Sequence, residues 1–306
     1  MTPLNGMNII KLRIVELLAK HHKITAVADI LELKQPTITF HMKNMERDFG
    51  VKLFEARMGR VLLTDAGKAL HHYAVKINEL AEEAQRAVGE FDTLRKGELK
   101  IGASYVPATY LLPGMLHRFS AMYHGVRLSL LVKPAPVIQG MLERREIDLG
   151  LISTDTLESP DLRMEPVCED ELVLIFSPQH ALASISDPSP QQIAASYFVM
   201  HGSESSTRQL TERWLEEHGR PLPIGLEFDS LEAIKQTVML GEHVSFVSRL
   251  AVQSEVERGL LHTYSPPGNI FKRKIYMATH KHRYPSALLA RFTDKLTEWI
   301  IENVRI

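Results

Sequence analysis

The sequence predicts a mixed fold in three parts: an all-α N-terminal segment over residues 1–64, a linker helix over 65–96, and a two-lobed α/β domain over 97–306. Three observations carry this. Up to Gly50, apolar residues recur at three- and four-residue spacing, the mark of amphipathic helices. Leu70, Ile77, Ala84 and Phe91 then fall at strict seven-residue intervals, beside a second line of Ala74, Ala81 and Val88. From Gly97 onward short apolar runs alternate with helical patterns, as strand–helix crossover units do.

In the first part, Ile9 to Lys20 places Leu12, Val15, Leu18 and Ala19 on one face, and Thr25 to Leu31 gives a short second helix with Val27, Ile30 and Leu31 inward. A third helix follows a tight turn at Glu32-Leu33-Lys34. Pro36 suits its first position, where a missing N–H costs nothing, with Gln35 as the cap. Ile38, Met42, Met45 and Phe49 form the buried stripe of this helix. After Gly50 the run VKLFEARMGRVLLT fits a two-stranded wing, which makes the segment a winged helix-turn-helix.

Thr64 caps the linker helix, which runs to about Leu94 and would extend roughly 45 Å at its usual rise. A helix this long outruns a small neighbour, so Leu70, Ile77, Ala84 and Phe91 are the candidate dimerisation line. The alternative is that the stripe packs on its own domain. Beyond Gly97, LKIGAS, VRLSLLV, DLGLIS, ELVLIFS, YFVMH, GLEFD, HVSFVS and KRKIYMATH read as strands. Helices are expected over Thr109–Tyr123, Val137–Arg145, Thr207–Glu217, Leu231–Leu240 and Ser286–Ile301, with a short one near Gln191. The alternation predicts mostly parallel sheet, and two such series with a long chain return predict two lobes around a cleft.

Charge is unevenly spread. Of 36 Lys/Arg and 37 Asp/Glu, residues 1–64 hold 10 and 6, so a net charge of +4 at this end faces −5 over the remainder. The single cysteine, Cys168, rules out an internal disulfide and fits a reducing cytosol. No leading segment reads as a signal peptide and no apolar run approaches a membrane span, so a cytoplasmic protein without membrane association is expected.

The polar side of the third helix sets the functional question, because Phe40 stands opposite the buried stripe among Pro36, Thr39, Lys43, Asn44 and Arg47. An exposed ring on such a helix can contact thymine methyl groups in the major groove; Gln35 has the amide geometry that reads adenine, and Thr39 reaches base edges or phosphate. Lys43, Arg57 and Arg60 would supply phosphate contacts, and Thr25 opens the preceding helix. The alternative for Phe40 is packing against the first helix or the wing.

The order of LELKQPTITFHMKNMERDFGVKLFE, ARMGRVLLTDAG, a long helix, and an α/β region containing LKIGAS and DLGLIS resembles the LysR-type transcriptional regulators along the whole chain. The resemblance implies a periplasmic-binding-protein-like sensor domain, double-stranded operator DNA as partner, a homodimer or homotetramer, and RNA polymerase as a further candidate partner. It also implies a small effector between the lobes, contacted by Ser104, Ser153 and Ser203 at strand ends, with Thr207 at the following helix start. Hydroxyls and free amides at helix N-termini favour carboxylate, sulfate or phosphate, so an anionic effector is expected. Plain helix capping by the same residues is the alternative.

No cofactor is implied. The His pairs at 21–22, 71–72 and 280/282 lack metal-ligand spacing, GSESS misses the nucleophile-elbow pattern, and Cys168 has no activating partner, so neither a metal site nor an enzyme is expected. The competing reading is a solute-binding or enzymatic α/β protein with a helical dimerisation segment.

Overall fold

The computed structural model describes residues 7–90, 97–155, 159–267, 271 and 273–303, which form two compact units, Met1–Gly89 and Glu90–Ile306. In the first, α1 (Ile9–His21) begins at Asn8, whose side chain accepts the Lys11 amide, and ends where His22 turns left-handed. α2 (Ile24–Ile30) and α3 (Gln35–Phe49) follow. Leu12, Val15, Leu18, Val27, Ile38, Met42 and Met45 close into one core with Leu53 and Phe54.

Three details differ from expectation. Lys34, not Gln35, is the α3 cap, because the Lys34 carbonyl already accepts the Thr37 and Ile38 amides; Pro36 still falls in the first turn. Ile30 (50% exposed) and Phe49 (43%) do not reach the core, each being the last residue of its helix. The wing forms as an antiparallel pair, β1 (Phe54–Arg57) and β2 (Arg60–Leu63). Met58 and Gly59 at its tip both have positive φ, as a tight two-residue hairpin requires.

Thr64 Oγ1 accepts the Gly67 amide at 3.1 Å, capping α4 (Asp65–Glu90) as expected. A Cβ at Gly67 would lie 2.1 Å from the Leu53 carbonyl oxygen, so this close approach of helix to wing needs glycine. Phe91 and the expected helix end near Leu94 lie outside the described residues.

The second unit runs β3 (Gly97–Ala103), a π-helical turn (Pro107–Leu111), α5 (Leu112–Met122), β4 (Val126–Val132), α6 (Ala135–Glu143), β5 (Leu149–Thr154), β6 (Leu162–Glu169), β7 (Leu172–Phe176), α7 (Pro190–Ile193), β8 (Tyr197–Met200) and α8 (Ser206–Glu217). It continues through β9 (Ile224–Glu227), α9 (Leu231–Met239), β10 (His243–Ser248), α10 (Gln253–Glu257), β11 (His262–Tyr264), β12 (Lys274–His280) and α11 (Ala287–Asn303).

These strands make two five-stranded sheets, one per lobe, in the orders β4-β3-β5-β12-β6 and β11-β7-β10-β8-β9. The expectation of mostly parallel sheet is corrected here. β3 pairs parallel with β4 and β5, and β8 with β9 and β10, but β12 runs antiparallel to β5 and β6, as β7 does to β10 and β11. The strand that returns from the second lobe, β12, enters the first sheet from the opposite direction. Between β6 and β7, and between β11 and β12, the chain passes from one lobe to the other.

Candidate functional site

Two surfaces collect the predicted residues. On the first unit, α3 turns Ile38, Met42 and Met45 inward and leaves Gln35, Pro36, Phe40, Lys43 and Arg47 exposed. Phe40 is 61% exposed and stands outside the core of its unit, its ring T-shaped to that of His41 at 6.0 Å. Thr39 donates its hydroxyl to the Gln35 carbonyl at 3.1 Å, and Thr25 stands exposed in the first turn of α2. Arg57 and Arg60 face each other across the β1–β2 register beside Met58, which is 97% exposed. Neither they nor Lys43 pair with a carboxylate among the described residues, so their charges remain available to an anionic partner. A face of this composition suits a nucleic-acid backbone and a groove floor.

The dimerisation line divides. Leu70 and Ile77 pack against the core of their own unit with Ala74, as the alternative reading had it, whereas Ala84 is exposed. Among the described residues, the exposed large apolar side chains of α4 are Tyr73, Leu80 and Val88.

The second surface is a cleft between the lobes of the α/β unit, a cavity of about 310 Å³ whose walls include Ser104, Ser153, Ser203 and Thr207. Topology explains the convergence: β3 and β5 are parallel neighbours in the first sheet, while α8 follows β8 of the second. Ser104, just past β3, accepts the Ser153 amide on its Oγ at 2.9 Å, so its hydroxyl ties two strand ends together rather than capping a helix. Ser153, 4% exposed, has a buried Oγ with no hydrogen-bond partner among the described residues. Ser203 is exposed, and its carbonyl accepts Gln209 Nε2. Ser205 is the α8 cap but makes no side-chain capping bond.

The sequence reading missed the charged centre. Arg273, 3% exposed just before β12, donates from Nη1 to Thr207 Oγ1 at 2.7 Å and approaches Ser206 Oγ at 3.4 Å. Its Nη2 lies 2.7 Å from Asp170 Oδ2, near enough for strong charge pairing though out of line for a hydrogen bond. Asp170 is fully buried and accepts Ser248 Oγ at 2.5 Å, and its amide donates to the Arg273 carbonyl. Both charged residues sit where the chain passes between lobes. Tyr105 and His201, one from each lobe, stack nearly parallel (7°) at 5.7 Å. Burial pushes the His201 imidazole down from its ordinary value and Arg273 acts the same way, against opposing pulls from the Phe228 backbone and Asp229. The only available sequence signals were the Lys-Arg-Lys run opening the last strand and the aromatic directly after Ser104.

Burial pushes the Cys168 thiol up to about 12, with Asp170 and Glu169 adding to the effect, so it is a protonated core thiol. Among the described residues, no group of three or more His, Cys, Asp or Glu gathers as metal ligands, and no helix is long and apolar enough to cross a membrane.

A winged helix-turn-helix with an exposed, cation-flanked reading helix, carried by the same chain as a two-lobed domain with a polar cleft, defines a ligand-responsive DNA-binding regulator. The sequence matches the bacterial regulatory helix-turn-helix protein of the lysR family over residues 9–68 and the LysR substrate binding domain over residues 92–300. The chain belongs to the LysR family of transcriptional regulators, and the match of its N-terminal part decides against a helical dimerisation segment on an unrelated α/β protein. It is 31% identical to a probable RuBisCO transcriptional regulator of Porphyra purpurea, over 94% of this chain and 92% of that one. Among solved structures, CbnR complexed with its target DNA has the same fold (TM-score 0.67, 21% identity, 96% of this chain and 100% of that one). The regulatory domain of Synechocystis PCC6803 CcmR in complex with 2-PG aligns with a TM-score of 0.61 at 26% identity, over 68% of this chain and 98% of that one.

Proposed function

We propose that this regulator is controlled by a small anion held at the hinge side of its cleft, between Ser104 and Ser153 of one lobe, Thr207 of the other, and Arg273 at the crossing between them. One observation carries the reading: the buried hydroxyl of Ser153 has no partner, although a buried polar group left unpaired costs free energy. The first amides of α8 support it, since these N–H groups have no intrahelical acceptor and carry the positive end of the helix dipole. An anion spanning the two lobes would bias their closure, and thereby the arrangement of subunits on DNA. The working division is a DNA-binding domain over residues 1–64, a linker over 65–96 and an effector domain over 97–306. The acting form is a cytoplasmic homodimer or homotetramer on operator DNA, with RNA polymerase as a further partner and without enzymatic activity.

Ser153→Ala tests this reading. Charge-assisted hydrogen bonds are worth roughly 1.5–3 kcal/mol, so the metabolite that alters operator binding should bind Ser153→Ala at least tenfold more weakly by calorimetry. The melting temperature of the effector-free protein should not fall, because the hydroxyl removed has no partner to lose. A lowered melting temperature with unchanged effector affinity would place the anion elsewhere.

A further inference from the structure

Resting on that reading, we propose that the effector carries a single negative charge at one end and hydrogen-bond donors, hydroxyl or ammonium, at the other: a small hydroxy acid or amino acid rather than a dicarboxylate or a phosphorylated acid. The seat for the charged end is a built one, because Ser153, a residue 4% exposed with an orphan Oγ, lines the same cavity as Arg273 and the α8 N-terminus. What limits the charge is Asp170. The Arg273 guanidinium is the only cation lining the cavity among the described residues, and it is already opposed by this buried carboxylate at 2.7 Å. The seat therefore offers an anion mainly hydrogen bonds and helix amides, with little net positive charge.

The rest of the lining is acidic. Glu204, Glu227 and Asp229 all border the cavity. Glu227 is engaged by Arg208 at 2.5 Å, but Glu204 and Asp229 are exposed and make no hydrogen bond or ion pair among the described residues. His201 adds no compensating charge near neutral pH, since burial disfavours its protonated form. A second anionic group on the ligand would meet these carboxylates at close range, where like charges repel. Hydroxyl or ammonium hydrogens would instead find free acceptors there. The Tyr105–His201 stack borders the cavity, and about 310 Å³ is at the small end for a ligand pocket.

The test is calorimetry on the full-length protein with D-glycerate and L-serine as donor-bearing ligands of single negative head, propionate as the donor-free monoanion, and malonate as the dianion. Glycerate or serine should bind at least tenfold more tightly than propionate and malonate, and Asp229→Asn should narrow the gap to malonate. If malonate binds more tightly than both donor-bearing probes and loses that affinity in Ser153→Ala, the single-charge inference fails while the anion seat stands. Failure of both glycerate and serine to bind at millimolar concentration also overturns the inference. If none of the four anions binds while uncharged glycerol does, the anionic-effector reading falls with it.

Discussion

Glu46 shows how one side chain fixes the geometry of the proposed DNA-reading surface. From α3 its Oε1 accepts the backbone amides of Leu53 and Phe54 at 3.0 and 3.2 Å, and its Oε2 receives Lys52 Nζ at 3.0 Å, so reading helix and wing move together. Burial would push this carboxyl up, but the bonds from Lys52, Leu53 and Phe54 outweigh it and hold it below its ordinary value of 4.5. A depressed carboxyl contributes stability that is present above the ordinary value and lost as pH falls through the folded one. Glu46→Ala leaves two amides without their acceptor, and urea unfolding at pH 7 should show a loss of about 1–3 kcal/mol, shrinking below pH 4.5 as the wild type loses the same contribution. A difference independent of pH would mean that Glu46 acts through packing alone. At this scale the sequence was partly legible. Phe40 was recognisable as exposed because an apolar ring stands there on a polar helix face, and Ser104, Ser153 and Thr207 were recognisable as cleft-lining residues through the family resemblance. Arg273 was not, since its partners Thr207 and Asp170 are chosen by how the chain crosses between lobes, which no local pattern encodes.

Among the elements, amphipathic helices were readable, and so were the edge strands β4 and β9, whereas the edge strands β6 and β11 were not. β6 contains Pro166 and alternates poorly, yet it forms because it is the outermost strand of its sheet, where a missing N–H costs no ladder bond, and the register shifts beside it. β11, only three residues long, is likewise an edge. The π-helical turn over Pro107–Leu111 departs from the simple helix expected there; such turns recur at functional sites, and this one follows Ser104 and Tyr105 of the cleft. α4 carries the sharpest element-scale prediction. Since Leu70, Ala74 and Ile77 are committed to their own core, an intersubunit seam must use Tyr73, Leu80, Ala84 and Val88, which follow one another at seven- and four-residue spacing. Leu80→Asp should therefore dissociate the oligomer in sedimentation without lowering the melting temperature of the N-terminal unit, whereas Ile77→Asp should lower it. An unaltered oligomer for Leu80→Asp would remove the seam.

For the molecule as a whole, the charge division read from the sequence agrees with a division of labour. Lys43, Arg57 and Arg60, without a carboxylate partner among the described residues, lie on the unit matched by the helix-turn-helix family, and the exposed carboxylates Glu204 and Asp229 line the cleft of the other. The two-lobed architecture was legible because the α/β alternation restarts at ELVLIFS, while the antiparallel return of β12 was not, strand direction being a tertiary property. The central claim is that the exposed face of α3 reads base edges while the wing positions the protein on phosphate. It is tested most directly by equilibrium binding to the operator and to shuffled DNA at several salt concentrations. Gln35→Ala and Phe40→Ala should each lose about 1–3 kcal/mol of discrimination between the two DNAs, while Arg60→Ala should weaken both alike and flatten the salt dependence. Unchanged operator discrimination in both Gln35→Ala and Phe40→Ala would contradict the account.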